Sequence, residues 1–119
     1  MTREARALSV RINRPAAEAY EFLARAENFS KWASWIAETP ESLATLRLTE
    51  RNSYGVLDHA VRLPRGTSVY VPLRLVPKGE GCELVLTLFR RPDMSDEKFA
   101  ADAEWVMRDL LAAKRILEG

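Results

Sequence analysis

From Ser95 onward the chain holds one long amphipathic helical pattern, and most of the sequence between Trp35 and Arg90 repeats with a period of two. That order constrains the fold more than any single motif does. Phe99, Ala103, Val106, Leu110, Ala113 and Leu117 recur at helical spacing and mark one buried stripe. Ser95 is a good N-cap, Asp96 and Glu97 complement the positive end of the helix dipole, and Lys114 and Arg115 complement its negative end. A long helix with one apolar face needs a partner surface, and the alternating segments before it supply a sheet. Strands joined by tight turns, with helices segregated from them, define an α+β domain.

The segments follow in order. Leu8, Val10 and Ile12 alternate with Ser9 and Arg11, which predicts a half-buried strand over 7–13. Pro15 opens a helix over 15–26, with Ala19, Phe22, Leu23 and Ala26 on one face, and Glu27 to Trp32 forms a second short helical segment. A short strand is expected at 35–39, a turn at Pro40-Glu41-Ser42, and a strand around Leu46 and Leu48. After a turn at Asn52-Ser53, residues 54–63 place Leu57, His59, Val61 and Leu63 on one face, and Pro64-Arg65-Gly66 turns the chain. Residues 67–76 carry Val69, Val71, Leu73 and Leu75 on one face, and Pro72 among them predicts an edge strand or a bulge. Lys78-Gly79-Glu80-Gly81 is a hairpin turn, and since no helix follows it, it is not a phosphate loop. Residues 82–90, with Val85, Leu86, Leu88 and Phe89, are expected to be covered on both faces.

Composition removes several function classes. The 119 residues suit one domain with one core, and 47% hydrophobic against 29% charged residues is a globular balance. A net charge of +1 gives no general grip on nucleic acid, and Arg62, Arg65, Arg74, Arg90 and Arg91 are interleaved with acidic and apolar residues. Cys82 and His59 are the only residues of their types, so neither an internal disulfide nor a Cys/His zinc site can form. No metal or cofactor is expected. The first residues, Met1 to Arg6, carry no apolar core of a signal peptide, and no apolar run approaches bilayer length, which makes the cytoplasm the expected location.

The order of weak motifs resembles the START-like (SRPBCC) superfamily, which includes the birch-pollen-allergen-like proteins and polyketide cyclases. Val10-Arg11-Ile12-Asn13-Arg14-Pro15 followed by Glu18-Ala19-Tyr20-Glu21-Phe22-Leu23 is similar to the family's first strand and proline-started helix. Glu27-Asn28-Phe29-Ser30-Lys31-Trp32 resembles its second helix. Gly55-Val56-Leu57-Asp58-His59, Val69-Tyr70-Val71-Pro72 and Leu88 to Asp96 resemble a bacterial subgroup. The resemblance implies a helix-grip fold, in which a curved antiparallel sheet wraps a long C-terminal helix around an apolar pocket. One departure stands out. Trp32 and Trp35 are three positions apart, where family members usually hold a further strand. A shortened sheet leaves an edge open to pairing with another chain, so a homodimer is expected.

The pocket this implies would hold a small hydrophobic or lipid-like molecule. Its expected lining is Trp32, Trp35, Leu57, His59, Val71, Leu86, Met94, Phe99 and Val106. His59 shares the parity of Leu57 and Val61, so it is either a neutral core imidazole tied to a carbonyl or hydroxyl, or a polar anchor and general base. Asp58 points the opposite way, which argues against a ready-made Asp–His pair. Tyr54 and Tyr70 oppose the apolar faces of their strands. Trp105, Ala112 and Ile116 form a second, narrower stripe on the long helix, either partly buried or a contact surface. Glu38 and Glu50 are the carboxylates nearest the sheet interior. No nucleophile elbow, paired inward carboxylates or metal-ligand spacing is present. The alternatives to a binding module are a polyketide cyclase or dehydratase with His59 as its acid–base, and a protein-interaction domain using Trp105 and Ile116.

Overall fold

The computed structural model describes residues 4–34, 46–62, 68–92 and 94–119. In chain order these form β1 (Ala5–Ile12), α1 (Ala16–Leu23), a 3-10 turn (Ala26–Asn28), α2 (Phe29–Trp32), β2 (Arg47–Leu48), β3 (His59–Arg62), β4 (Ser68–Val71), β5 (Leu73–Lys78), β6 (Gly81–Phe89) and α3 (Asp96–Glu118). The expected strand at 35–39, the turns at 40–42 and 64–66, and residues Trp35, Glu38 and Leu63 lie outside the described residues.

Parity along β1 and β6 builds the core. Their antiparallel register sets Leu8 against Leu86, Val10 against Leu84 and Ile12 against Cys82, and β5 adds Leu73 beside Leu86 and Leu75 beside Leu84. These rows are buried, and Leu23, Phe29, Leu110 and Ala113 of the helices close over them. Each fully buried aliphatic side chain contributes about 1.5–3 kcal/mol, so this face carries much of the stability. The hairpin between β5 and β6 closes on Gly79 and Glu80, with Gly79 at φ +62, as a two-residue turn with glycine in its first central position requires.

The two three-stranded sheets, β1-β6-β5 and β2-β3-β4, are joined through one bent hairpin. His59 faces Val71 and Val56 faces Arg74 in a single register, so β4 and β5 are two halves of one strand broken at Pro72, opposite Asp58. Beyond the break the halves diverge. Pro72 still accepts from the Thr87 N–H at 3.0 Å and β5 follows β6, whereas β4 stays with β3 and does not pair with β6. The proline is therefore at neither an edge nor a simple bulge, because β5 runs between β6 and residues 55–57. It is a fork in the sheet.

Three other expectations are corrected. Helix α1 ends at Leu23, and after the extended Arg25 a separate 3-10 turn spans Ala26–Asn28, so Ala26 lies outside the helix. Regular strand begins at His59 instead of residue 54, because the Asn52 side chain organises the preceding loop. Its Oδ1 accepts from the Tyr54 and Val56 N–H groups, and its Nδ2 donates to the Glu50 and Val56 carbonyls. Gly55 completes that loop at φ +73, so close to the neighbouring strand that a Cβ would lie 2.1 Å from the Leu75 carbonyl oxygen. Strand β6 is buried on one face only. Val85 and Thr87 are half-buried and Phe89 is 46% exposed, since the helices cover the face that bears Leu84 and Leu86.

Helix α3 is fixed at both ends. The Ser95 hydroxyl accepts from the Lys98 N–H at 3.1 Å. At the other end the Arg14 guanidinium donates to the carbonyls of Leu117 and Glu118, both at 3.0 Å, Asn13 N–H donates to the Glu118 carboxylate, and Lys114 reaches the Arg11 carbonyl. A cation on the last carbonyls satisfies orphan acceptors and complements the dipole.

Candidate ligand-binding cleft

The fork at Pro72 opens a space between β4, β6 and α3. Strands β3 and β4 contribute His59, Val61, Val69 and Val71, β6 contributes Leu86 and Leu88, α3 contributes Asp102, Trp105, Val106 and Asp109, and Trp32, Ala33 and Arg91 complete the wall. The volume is about 250 Å³. At the ~30 Å³ that a water molecule takes in the liquid, this suits a molecule of about eight or somewhat more heavy atoms, at the small end of ligand pockets.

Polar groups in this wall are few and mostly engaged. Asp109, although 7% exposed, accepts from the Ser34 N–H at 3.2 Å and the Ser34 hydroxyl at 2.8 Å, and the Trp105 indole donates to the same hydroxyl, which ties the end of α2 to α3. Asp102 pairs with Lys98 at 2.8 Å. His59 is 4% exposed, with Nδ1 3.2 Å from the Leu57 carbonyl and its ring edge-on to Phe29 at 5.0 Å. Burial pushes its pKa down, outweighing the Leu57 carbonyl and the Asp58 charge that pull it up. The ring is neutral at pH 7, with its proton on the nitrogen that faces the carbonyl.

Trp32 differs from all of these. It is 5% exposed and stacks obliquely on Phe29 at 5.1 Å, and its indole N–H is buried without an acceptor among the described residues. A buried N–H without a partner costs about 1–3 kcal/mol, and this nitrogen is shielded from the cleft as well as from solvent.

Behind His59 lies a second cluster. The Asp58 carboxylate is buried at the fork and accepts from the Leu73 N–H at 2.9 Å, from Arg74 Nε and Nη2, both at 2.8 Å, and from the Tyr70 hydroxyl at 2.5 Å. The hydrogen bonds from Arg74 hold its pKa well below the usual carboxylate range, against the cost of burial. The Leu57 carbonyl would be the ordinary ladder acceptor for Leu73, but here Leu73 donates to Asp58 and the carbonyl accepts from the His59 ring. Asp58 and His59 thus repair with side chains the backbone pairing that Pro72 disrupts, from opposite faces as their parity requires.

Of the residues expected to line the pocket, Trp32, His59, Val71, Leu86 and Val106 face the cleft. Leu57, Met94 and Phe99 do not. They are buried in the packing around it, with Phe99 beneath the Arg90 guanidinium at 5.9 Å and Met94 accepting from the same group through its carbonyl. Trp35 lies outside the described residues. Trp105, expected on a separate outer stripe, is 37% exposed and also borders the cleft, while Ile116 on that stripe is 43% exposed. Asp109 and Arg91 carried no signal in the sequence, since a helical Asp or a strand-end Arg looks like solvated surface. Tyr54 and Tyr70 are exposed, as is Glu50. A second recess of about 410 Å³ lies between α1 and residues 51–55, but the Glu21–Arg51 ion pair and Tyr20 line it, and Tyr20 is committed to the Asn52 N–H.

A curved antiparallel sheet gripping a long C-terminal helix, with two short helices after the first strand, is the helix-grip fold that the sequence resemblance implies. Solved structures share it across nearly the whole chain. The crystal structure of Ara h 8.0201 superposes with a TM-score of 0.58 at 10% identity, covering 98% of this chain and 99% of that one. The solution structure of KanY protein gives 0.55 at 15% identity over 100% of both chains, and the crystal structure of TTHA0849 from Thermus thermophilus gives 0.51 at 14% over 97% of both. These likenesses establish a common fold. No protein-family model matches the sequence, and no curated protein matches it. Among the described residues, no helix is long and apolar enough to cross a membrane, and no cluster of His, Cys, Asp or Glu could hold a metal ion.

Proposed function

We propose that the chain binds a small, largely apolar molecule in the cleft between the forked sheet and α3. The observation that carries this reading is the cleft itself, a space of about 250 Å³ walled mostly by Val61, Val69, Val71, Leu86, Leu88 and Val106. A well-packed core would not leave that space. Affinity would come from apolar burial, at about 25 cal/mol per Å² before the cost of association. A cyclase-type reaction with His59 as acid–base is the weaker reading, because that ring is almost fully buried and one nitrogen is tied to Leu57. We also propose that the open edge of a shortened sheet pairs two copies into a homodimer, which a solution mass equal to the 13.5 kDa of one chain would refute.

The test is a methyl-detected NMR titration with naphthalene, an apolar probe of suitable size. We expect saturable one-site shifts confined to Val61, Val71, Leu86, Leu88 and Val106. Shifts absent altogether, or centred on the exposed Leu111 and Ile116, would show that the cleft is not a ligand site.

A further inference from the structure

Strand β1 is an edge strand among the described residues, where it pairs with β6 alone. The Glu4 carbonyl accepts from the Arg90 N–H at 2.9 Å, one position before the Ala5–Phe89 pair. Hydrogen-bonded pairs alternate along an antiparallel ladder, so the even-numbered residues of β1 exchange bonds with β6 and the odd-numbered ones point their backbone groups away from it. Helix α3 covers that outward side at one end. Lys114 Nζ donates to the Arg11 carbonyl at 2.6 Å, and the Asn13 N–H donates to the Glu118 carboxylate at 2.8 Å. Ala5, Ala7 and Ser9 stay open. They are exposed, and their backbone N–H and carbonyl groups have no partner among the described residues. The usual guards of an edge are missing, since Ala5–Ile12 holds no Pro, Lys or acidic residue and no bulge interrupts its register.

We infer that a second copy of this chain pairs with this edge, β1 against β1, about a two-fold axis at Ala7. The inference rests on the homodimer reading and assigns the edge that carries it. Antiparallel pairing about that axis sets Ala7 opposite Ala7 and Ala5 opposite Ser9, which matches every open donor with an open acceptor. A shift toward the end of β1 would bring in the Arg11 carbonyl, which Lys114 already holds. The outer face of the seam carries only the small side chains of Ala5, Ala7 and Ser9, and the inner face sets the exposed Arg6 of one copy opposite Leu8 of the other. The two Arg6 side chains become diagonal neighbours, a like-charge contact that water and salt screen. The strand at the other end, β2, offers only Arg47 and Leu48. The matched stretch is short against a standard interface of about 1,600 Å², so the dimer dissociates on dilution.

The experiment is sedimentation equilibrium of the unaltered protein and two variants over about 5–500 µM, a span that resolves a weak dimer. The unaltered protein should move from the 13.5 kDa of one chain toward twice that mass as concentration rises. The Ala7 and Ser9 amides should gain protection from hydrogen exchange over the same span. Ala7→Pro removes an outward N–H while sparing the ladder to β6, a change that edge strands tolerate, and should weaken association at least about tenfold. Ala7→Glu sets two like charges opposite each other at the axis and should do the same. Its side chain points into solvent in the single chain, so this variant decides if Ala7→Pro does not fold. Undiminished dimerisation of either folded variant would overturn pairing at β1 and leave a homodimer through another surface standing. The mass of one chain at every concentration would overturn the homodimer reading itself, and the inference with it.

Discussion

Replacing Asp58 with alanine tests whether its carboxylate substitutes for a ladder bond at the fork. The Leu73 N–H is buried and donates to Asp58 at 2.9 Å, while the Leu57 carbonyl is held by His59 at 3.2 Å. Asp58→Ala therefore strands a buried donor, at about 1–3 kcal/mol. The bidentate contact with Arg74 adds less than its geometry suggests, because the Arg74 side chain is 52% exposed and returns to water, so about 0–1 kcal/mol is appropriate. The sum is roughly 1–4 kcal/mol, out of a total stability of about 5–15 kcal/mol. For a domain of this size, with each kcal/mol shifting Tm by about 4 °C, thermal unfolding followed by circular dichroism should show a fall of roughly 4–16 °C. Two variants separate the causes. Asp58→Asn keeps a carbonyl oxygen for Leu73 while losing the charge, and should cost about half as much. Tyr70→Phe removes a donor from an exposed side chain and should cost about 1 kcal/mol or less. Hydrogen exchange at the Leu73 amide should accelerate in the alanine variant before the global transition. If Asp58→Ala proves no worse than Tyr70→Phe, or if Asn and Ala are equally damaging, the stranded-donor argument is wrong.

Three further outcomes follow from the same structure. His59 has a folded pKa below its ordinary 6.5 because burial disfavours the imidazolium, so the unfolded chain takes up a proton first as pH falls, and stability should decline from about pH 6.5 downward. A second loss should set in below about pH 4 as Asp58, held ionised by Arg74, becomes protonated in the unfolded chain. Urea midpoints measured from pH 8 to 3 report both, and His59→Leu should abolish the upper decline alone. Gly55→Ala combines a left-handed backbone with a Cβ placed 2.1 Å from the Leu75 carbonyl, and should destabilise the domain by about 2 kcal/mol or more in the same urea assay.

Local periodicity made much of the scaffold legible. The even-numbered residues of β1, the turn at Gly79-Glu80 and the Ser95-capped helix each depend on neighbours in sequence, and the parity of Asp58 and His59 correctly set them on opposite faces. The fork was not legible, because Pro72 signals only a missing donor. Whether that makes an edge, a bulge or a divergence depends on what β6 and Asp58 do from a distance. The site suffered most from this. Periodicity set Leu57 and Phe99 on inward faces and the resemblance set Met94 at the pocket end of the long helix, but only the divergence of β4 from β6 selects which inward residues border empty space. Asp109 went unseen because its burial depends on Ser34, a residue 75 positions away.

The clasp between residues 11–14 and the end of α3 has a kinetic meaning. Those contacts bridge more than 100 positions, and among the described residues β1 pairs only with β6, which is synthesised some 70 residues later. A first strand without its partner must wait on the ribosome with Leu8, Val10 and Ile12 uncovered, because the cost of closing so large a loop falls due before any long-range contact rewards it. Folding of this chain should therefore be slow for its length, and it should complete only once α3 has emerged.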